Sequence, residues 1–277
     1  MEKFDISFTN CLICGSSDIF QYHQASKELK IFKCRNCKIQ FLNPQYSDEY
    51  LSEMYSRYIV DQSDIDDEIY QSHLDCLLMI EKYKTSNGKL FDIGSGNGHL
   101  ISLAKKRNWI PIGYDIDCKT VKRISNKIGV EMFCGDFKNL NFQKERFDVV
   151  TMLHVIEHLK NPISYLKIIR EILKSDGVFF LALPNIQSRS ALLKLFLEKV
   201  KIRRRNIAAY YDTGHHLWYY TPKTIRYALQ NNGFDVKIIY SGRSSSFKLS
   251  RVRQTVSEKI LAKLIWTSNM IVLAVKK

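Results

Sequence analysis

Two constellations in the first half of the chain have residue types and spacings that can do chemistry. The first is Cys11-Leu12-Ile13-Cys14 with Cys34-Arg35-Asn36-Cys37, two CxxC pairs nineteen residues apart. Two tight turns that each offer two thiols match a tetrahedral four-thiolate zinc site. Cys11, Cys14, Cys34 and Cys37 are therefore expected to ligate Zn2+. Four protein ligands leave the ion no open position, so its expected role is structural. A redox role is disfavoured, because thiol–disulfide enzymes use a single pair at a helix start.

The second is Phe91-Asp92-Ile93-Gly94-Ser95-Gly96-Asn97-Gly98-His99-Leu100, which follows an apolar run and opens a helical one. Glycines at such a bend let the backbone turn tightly and approach a ligand. Gly94-x-Gly96-x-Gly98 differs from the dinucleotide fingerprint, and no Gly-Lys-Ser/Thr follows as a P-loop requires. Asp92 suits a cationic amine, or orders the loop, and would repel a pyrophosphate. Asp115 lies 21 residues after Gly94, where a carboxylate can take both hydroxyls of a ribose. Asp136 and Phe137 end the next apolar run, and a carboxylate beside an aromatic ring suits an adenine. Fragments in this order, each at a strand's carboxyl end, point to a nucleoside ligand.

Positioning these residues requires alternating strands and helices. Apolar runs predict strands at 89–93, 110–114, 130–134, 147–153, 178–183, 235–240 and 270–275. Helical spacing predicts helices at 69–84, 98–108, 118–128, 162–173 and 222–232. This alternation implies an α/β fold, a mainly parallel sheet with helices on both faces. The stretch from Tyr46 to Glu68 reads as polar and Tyr-rich, with an acidic cluster at Asp61, Asp64, Asp66, Asp67 and Glu68. The expected organisation is a zinc module at 1–43, a linker and lead-in helix at 44–87, and the main domain at 88–277. Two basic stretches, 185–220 and 241–267, interrupt that domain and read as insertions or a helical cap.

The chain has 277 residues, 45% hydrophobic and 25% charged, which excludes a disordered or fibrous class. No run is long enough for a membrane span. Met1-Glu2-Lys3-Phe4-Asp5 lacks the apolar stretch of a signal peptide, so a cytoplasmic location is expected. In that compartment seven cysteines are not a disulfide framework, and Cys76, Cys118 and Cys134 are expected to be plain buried residues. The net charge of +14 is confined to the last third, where residues 184–277 carry 18 Lys/Arg against 4 Asp/Glu. Leu192, Leu193, Phe196, Lys199 and Arg203–Arg205 combine an apolar helical stripe with cations, as do Arg243, Lys248, Arg251, Arg253, Lys259 and Lys263 with Leu261 and Trp266. The favoured reading is a lid over the substrate. The second is contact with an anionic or membrane-borne acceptor, peripheral at the inner membrane surface.

The glycine loop, Asp115, Asp136-Phe137, Phe147–Leu159 and Leu173-Lys174-Ser175-Asp176-Gly177-Val178 together resemble the class I S-adenosylmethionine-dependent methyltransferases. The resemblance covers about 69–183 and resumes at 221–277, and it implies a Rossmann-like seven-stranded sheet with a reversed final strand. It implies that Asp92, Gly94, Ser95, Gly96 and Gly98 bind the methionine part of S-adenosylmethionine. Asp115 with Ile116 would bind the ribose, Asp136 with Phe137 the adenine, and Leu153 with His154 the methionine end. The cysteine module and Phe41-Leu42-Asn43-Pro44 resemble those of small-molecule and sugar methyltransferases.

Methyl transfer is an in-line displacement in which alignment in a dry pocket supplies much of the rate. Candidates for a catalytic or substrate-contacting role are His154, His158, His215, His216 and Tyr219; histidine suits general-base work near neutrality. Against these stand blander roles, with Glu157-His158 ordering its loop and His215-His216 capping or packing. No Asn/Asp-Pro-Pro-Tyr/Phe follows the fourth strand, against transfer to a base amine. The expected acceptor is a small molecule, such as a sugar or a lipid-linked glycan intermediate. An RNA or tRNA methyltransferase and a noncatalytic S-adenosylmethionine-binding protein are the alternatives, and nucleic acid is the less favoured partner.

Overall fold

A computed structural model describes residues 2–58, 67–84, 88–140, 142–200, 210–211, 213–242 and 268–277. The acids Asp61, Asp64 and Asp66, the cations Arg203–Arg205, and the second insertion from Arg243 onward lie outside the described residues. In chain order the elements are β1 (Phe4–Ile6), β2 (Ile19–Gln24), β3 (Lys30–Cys34), β4 (Gln40–Leu42), β5 (Gln45–Tyr46), α1 (Asp48–Tyr58) and α2 (Asp67–Glu81). Then come β6 (Lys89–Ile93), α3 (His99–Lys106), β7 (Ile110–Asp115), α4 (Cys118–Ile128), β8 (Met132–Cys134), β9 (Phe147–Leu153), α5 (Pro162–Ile172) and β10 (Leu173–Pro184). The chain closes with α6 (Arg189–Lys199), β11 (Trp218–Tyr219), α7 (Pro222–Asn231), β12 (Phe234–Gly242) and β13 (Asn269–Lys276).

Seven strands form one sheet in the order β12-β13-β10-β9-β6-β7-β8. β6 through β10 run parallel, while β13 is antiparallel to both β10 and β12. Helices cover both faces, so the central strands are buried on both sides and read as continuous apolar runs. Phe91, Val150, Met152, Phe179 and Leu181 point to one core, and Leu90, Val149, Phe180 and Ala182 to the other. This two-sided burial sets the register, because a one-residue slip would exchange the two faces. The chain winds outward from β6 in one direction through β7 and β8, and in the other through β9 and β10. The carboxyl ends of β6 and β9 therefore flank a topological switch point, where open α/β sheets hold ligands.

Local signals set the helix ends. Asp117 accepts from the N–H groups of Lys119 and Thr120 at the start of α4, and Gly129 closes that helix in the left-handed region. Asn161 and Thr221 cap α5 and α7, each followed by proline at the first helical position.

The N-terminal region forms a second sheet, β11-β4-β3-β2. Its member β11 comes from the first insertion: Trp218 pairs with Phe41 and Tyr219 with Gln40.

Three features differ from the sequence reading. Helix α1 occupies a stretch read as an element-free polar segment; the Ser47 hydroxyl accepts from Tyr50 N–H and two acids sit in its first turn. Strand β10 begins at Leu173, because Leu173 pairs with Phe147 before the register shifts toward Val178. Cys118 and Cys134 are not plain buried residues: Cys118 is exposed, Cys134 is half-buried, and a disulfide joins them. The cause is topological, since Cys134 pairs with Asp115 across β7 and β8, and the chain leaving β7 turns back over the end of β8. Cys76 is fully buried.

Candidate functional site

The turn after β6 places three glycines in the left-handed region, with φ of 76° at Gly94, 48° at Gly96 and 74° at Gly98. A Cβ at Gly94 would fall 2.3 Å from Val155 Cγ2, and one at Gly98 2.5 Å from Ile124 Cγ2. A Cβ at Gly96 would meet nothing within 4 Å. Gly94 and Gly98 are thus required by packing, while Gly96 faces open space.

Asp115, at the end of β7, accepts from the Gly96 N–H at 2.9 Å and from the Asp117 N–H at 3.2 Å. The next residue, Ile116, is 64% exposed, an apolar side chain left uncovered beside that carboxylate. Asp136 is exposed and accepts from the Lys138 N–H. Phe137 is fully buried, stacked on Tyr165 at 4.5 Å, so its ring belongs to the core. Ser95 points its hydroxyl at the Tyr114 carbonyl at 3.3 Å.

Asp92 is buried below the loop and accepts from the Thr151 hydroxyl at 2.6 Å. Burial pushes its pKa up to about 7 against the opposing effect of that hydrogen bond. Thr151 was not singled out from sequence. Only the strand pairing that aligns Asp92 with Thr151 reveals it.

After β9 the chain turns sharply. His154 adopts φ 56° and donates its N–H to the Ala182 carbonyl at 2.7 Å. A short helical turn at Ile156–His158 then drives Glu157 inward to 1% exposure. Glu157 Oε1 lies 3.6 Å from His154 Nδ1 and 3.9 Å from His158 Nε2. Burial pushes the Glu157 carboxyl up, but His154, His158 and His216 outweigh it and hold the group below the ordinary carboxylate value.

The segment before α7 is fastened onto this turn. Leu217 N–H donates to the Glu157 carbonyl at 2.8 Å, and the Trp218 indole donates to the Leu159 carbonyl at 2.7 Å. These bonds bring together histidines far apart in sequence. The His158 ring lies 4.8 Å from that of His215 and 4.9 Å from that of His216. Tyr219 is buried and donates to the His216 carbonyl at 3.1 Å.

His216 and Tyr219 also line a cavity of about 470 Å³ between α6, the end of β10 and β11. Tyr210, Tyr211, Trp218 and Tyr220 make its wall aromatic, and Lys194 adds a cation. Tyr210, Tyr211 and Lys194 carried no motif, because only the folded insertion turns them toward one space.

The four N-terminal thiols converge as the spacing implied. Cys11 Sγ is 3.6 Å from Cys37 Sγ, Cys14 Sγ is 3.6 Å from Cys34 Sγ, and all four sulfurs lie within 4.8 Å of one another. Tetrahedral thiolates with bonds of about 2.3 Å sit roughly 3.8 Å apart, so the cluster fits one ion. The contact between Cys11 and Cys37 pulls the Cys11 thiol down and pushes the Cys37 thiol up, so without an ion the pair shares one proton.

The strand order with its reversed β13, carrying the glycine turn and its facing acid at the switch point, defines a Rossmann-like methyltransferase fold. A family model described as "Methyltransferase domain" matches residues 67–237, more than half of the chain, and the chain belongs to that family. It is 27% identical over 115 residues to a ubiquinone biosynthesis O-methyltransferase of Coxiella burnetii, covering 39% of this chain and 49% of that protein. It is also 30% identical over 152 residues to an uncharacterized protein of Methanocaldococcus jannaschii, covering 55% of this chain and 66% of that protein. The chain thus spans about half the length of the first of these relatives. A crystal structure of a SAM-dependent methyltransferase from Thermotoga maritima superposes with a TM-score of 0.57 at 19% identity, over 82% of this chain and 100% of that one.

Proposed function

We propose that this protein is an S-adenosylmethionine-dependent methyltransferase whose acceptor is a small hydroxylated molecule bound in the cavity beneath α6. The observation that carries the reading is the turn itself: open space beside Gly96, whose N–H is held by the carboxylate of Asp115, with the exposed Ile116 next in the chain. Asp115 takes the ribose hydroxyls, Ile116 and Asp136 frame the adenine, and Asp92 with the turn at Gly94 to Gly98 receives the methionine end. The cofactor, when bound, supplies a methyl group on a sulfonium. The chain's residues align the acceptor oxygen with that methyl group, exclude water and take the oxygen's proton.

His216 and His158 are the groups placed to take the proton, since His216 lines the cavity and its ring lies against that of His158. The aromatic wall and Lys194 favour a ring-shaped acceptor carrying hydroxyls and negative charge, for which a sugar or a lipid-linked glycan intermediate is the leading class. The Coxiella relative is named for O-methylation, which agrees with oxygen as the acceptor atom. No helix of the described residues is long and apolar enough to cross a membrane. The Cys11, Cys14, Cys34 and Cys37 cluster holds a structural zinc ion that fixes the N-terminal sheet against β11.

The test is methyl transfer from labelled cofactor to pools of nucleotide sugars, lipid-linked glycans and RNA, with wild type and Tyr211→Ala. Label entering a glycan pool and lost in the variant supports the reading. Label entering only RNA overturns the acceptor class, and cofactor binding without transfer to any pool overturns the enzyme.

A further inference from the structure

Glu157 is 1% exposed, yet neither of its carboxylate oxygens has a hydrogen-bond partner. A buried carboxylate left in that state is costly unless a cation sits against it. The nearest nitrogens belong to two histidines. His154 approaches at 3.6 Å with its side chain 41% exposed, and His158 Nε2 faces Glu157 Oε1 at 3.9 Å. The other nitrogen of His158, Nδ1, lies 3.0 Å from the His215 carbonyl oxygen. It can only donate there, so a neutral His158 turns the lone pair of Nε2 toward the carboxylate. Two lone pairs facing each other repel unless a positive charge lies between them. The hydroxyls of Tyr55 and Tyr220 are buried without partners as well. The Tyr55 ring lies 6.1 Å from that of His158. A group of orphaned polar atoms around one buried acid marks the place of a missing ion or water.

The ligand nitrogens of His158, His215 and His216 lie within 4.8 Å of one another. We propose that Glu157, His158, His215 and His216 form a binding site for one divalent transition-metal ion. Three borderline imidazoles with one hard carboxylate make a donor set of the kind that holds Zn2+, Fe2+ or Co2+, distinct from the all-thiolate cluster at the N-terminus. Ligands with bonds of about 2.1 Å sit roughly 3–4 Å apart, so binding draws the three imidazoles together by about an ångström, and Glu157 joins them from the His158 side, where its Oε1 lies 3.9 Å from Nε2. The His158–His215 backbone contact supplies the outer hydrogen bond that ligating histidines usually make.

The site has an outlet, because His216 also lines the 470 Å³ cavity. An acceptor oxygen entering there can complete the ion's coordination, and a bound ion lowers the pKa of a hydroxyl it holds, so with the ion bound the proton leaves to solvent and not to His158 or His216, whose lone pairs the ion occupies. That consequence rests on the acceptor reading given above; the metal site itself does not.

The test uses the full-length, zinc-replete protein and Co2+ as the probe, with bound metal counted after desalting and visible absorption recorded. Wild type is expected to retain one Co2+ per chain beyond its zinc, without the sulfur-to-cobalt charge-transfer band that thiolate ligation would give. Glu157→Gln and His216→Ala are expected to weaken Co2+ at least tenfold and keep the zinc. His216→Ala, at the cavity wall, remains informative if Glu157→Gln fails to fold. Wild type retaining no Co2+ beyond zinc, or both variants retaining it equally, overturns the site. Calorimetric binding of S-adenosylhomocysteine to the same samples separates that failure from failure of the methyltransferase reading.

Discussion

Asp115 Oδ2 accepts a hydrogen bond from the backbone N–H of Gly96 at 2.9 Å, so the acid ending β7 reaches across to the glycine turn ending β6. Its other oxygen takes the Asp117 N–H at 3.2 Å, and Asp117 in turn caps α4. The carboxylate is therefore oriented by the backbone before a ligand arrives, which reduces the ordering cost of binding.

The three glycines of the turn separate folding from binding. Gly98→Ala puts a Cβ 2.5 Å from Ile124 Cγ2 at φ 74°, and should lower stability by about 2–4 kcal/mol. Gly96→Ala meets no atom within 4 Å and carries only the left-handed backbone cost of about 1 kcal/mol. Thermal unfolding should therefore show a large drop for Gly98→Ala and a small one for Gly96→Ala. Cofactor binding should nevertheless be lost in Gly96→Ala. Equal melting temperatures for the two variants would contradict this division.

Asp92 should make stability depend on pH. Its folded pKa, about 7, lies above the ordinary carboxylate value, so the native state keeps a proton that the unfolded chain has released. Stability should then fall as pH rises from about 4 to about 7 and level off above that. Asp92→Asn keeps an acceptor for the Thr151 hydroxyl and removes the titration. Its melting temperature should match wild type near pH 4 and exceed it at pH 8, by an amount on the order of 5 °C. A difference that stays constant with pH would refute the assignment. The same variant should bind the cofactor more weakly, since its amine loses an anion.

Much of the sheet was legible because its strands are buried on both faces, and continuous apolar runs between capped helices are hard to misread. The spans predicted for β6, α4 and β9 coincide with those observed. Helix α1 was not legible, because its polar surface hides the apolar stripe and its cap depends on Ser47, an ordinary residue in sequence. The Cys118–Cys134 disulfide was hidden because sixteen residues and two elements separate the cysteines, and only the pairing of β7 with β8 brings them together. The joining of His158 to His215 and His216 was hidden for a different reason. It depends on the Leu217–Glu157 and Trp218–Leu159 hydrogen bonds, which tie together segments more than fifty residues apart. Spacing rules reach only along one element, so contacts between an insertion and a strand end lie beyond them.

Removing zinc should disturb the cavity as well as the module. β4 pairs with β11, and the Tyr211 hydroxyl donates to Gln40 Oε1 at 2.5 Å. Cys37→Ser, or treatment with a strong chelator, should lower the melting temperature by several degrees and change the near-ultraviolet dichroism of the Tyr–Trp cluster. Binding of S-adenosylhomocysteine should change by less than about threefold, because the groove residues lie on the other sheet. An unchanged melting temperature after verified zinc loss would refute the structural role.

The disulfide can be counted. Thiol titration of the unfolded, unreduced and metal-free chain should find five free thiols, those of Cys11, Cys14, Cys34, Cys37 and Cys76. A bridge of this span contributes about 3 kcal/mol in the chain-entropy account. Cys118→Ser should accordingly lower the melting temperature of the oxidised protein and leave that of the reduced protein nearly unchanged. A count of seven in oxidised protein would remove the bridge.

The central claim is that the groove over Gly96 and Asp115 binds S-adenosylmethionine, and calorimetric titration of zinc-replete wild type and Asp115→Ala tests it most directly. Wild type should bind S-adenosylmethionine and S-adenosylhomocysteine with one site per chain. Loss of the charged hydrogen bonds to the ribose, worth about 1.5–3 kcal/mol, should weaken Asp115→Ala roughly 10- to 100-fold. No binding to folded wild type, or equal affinity in the variant, would contradict the account.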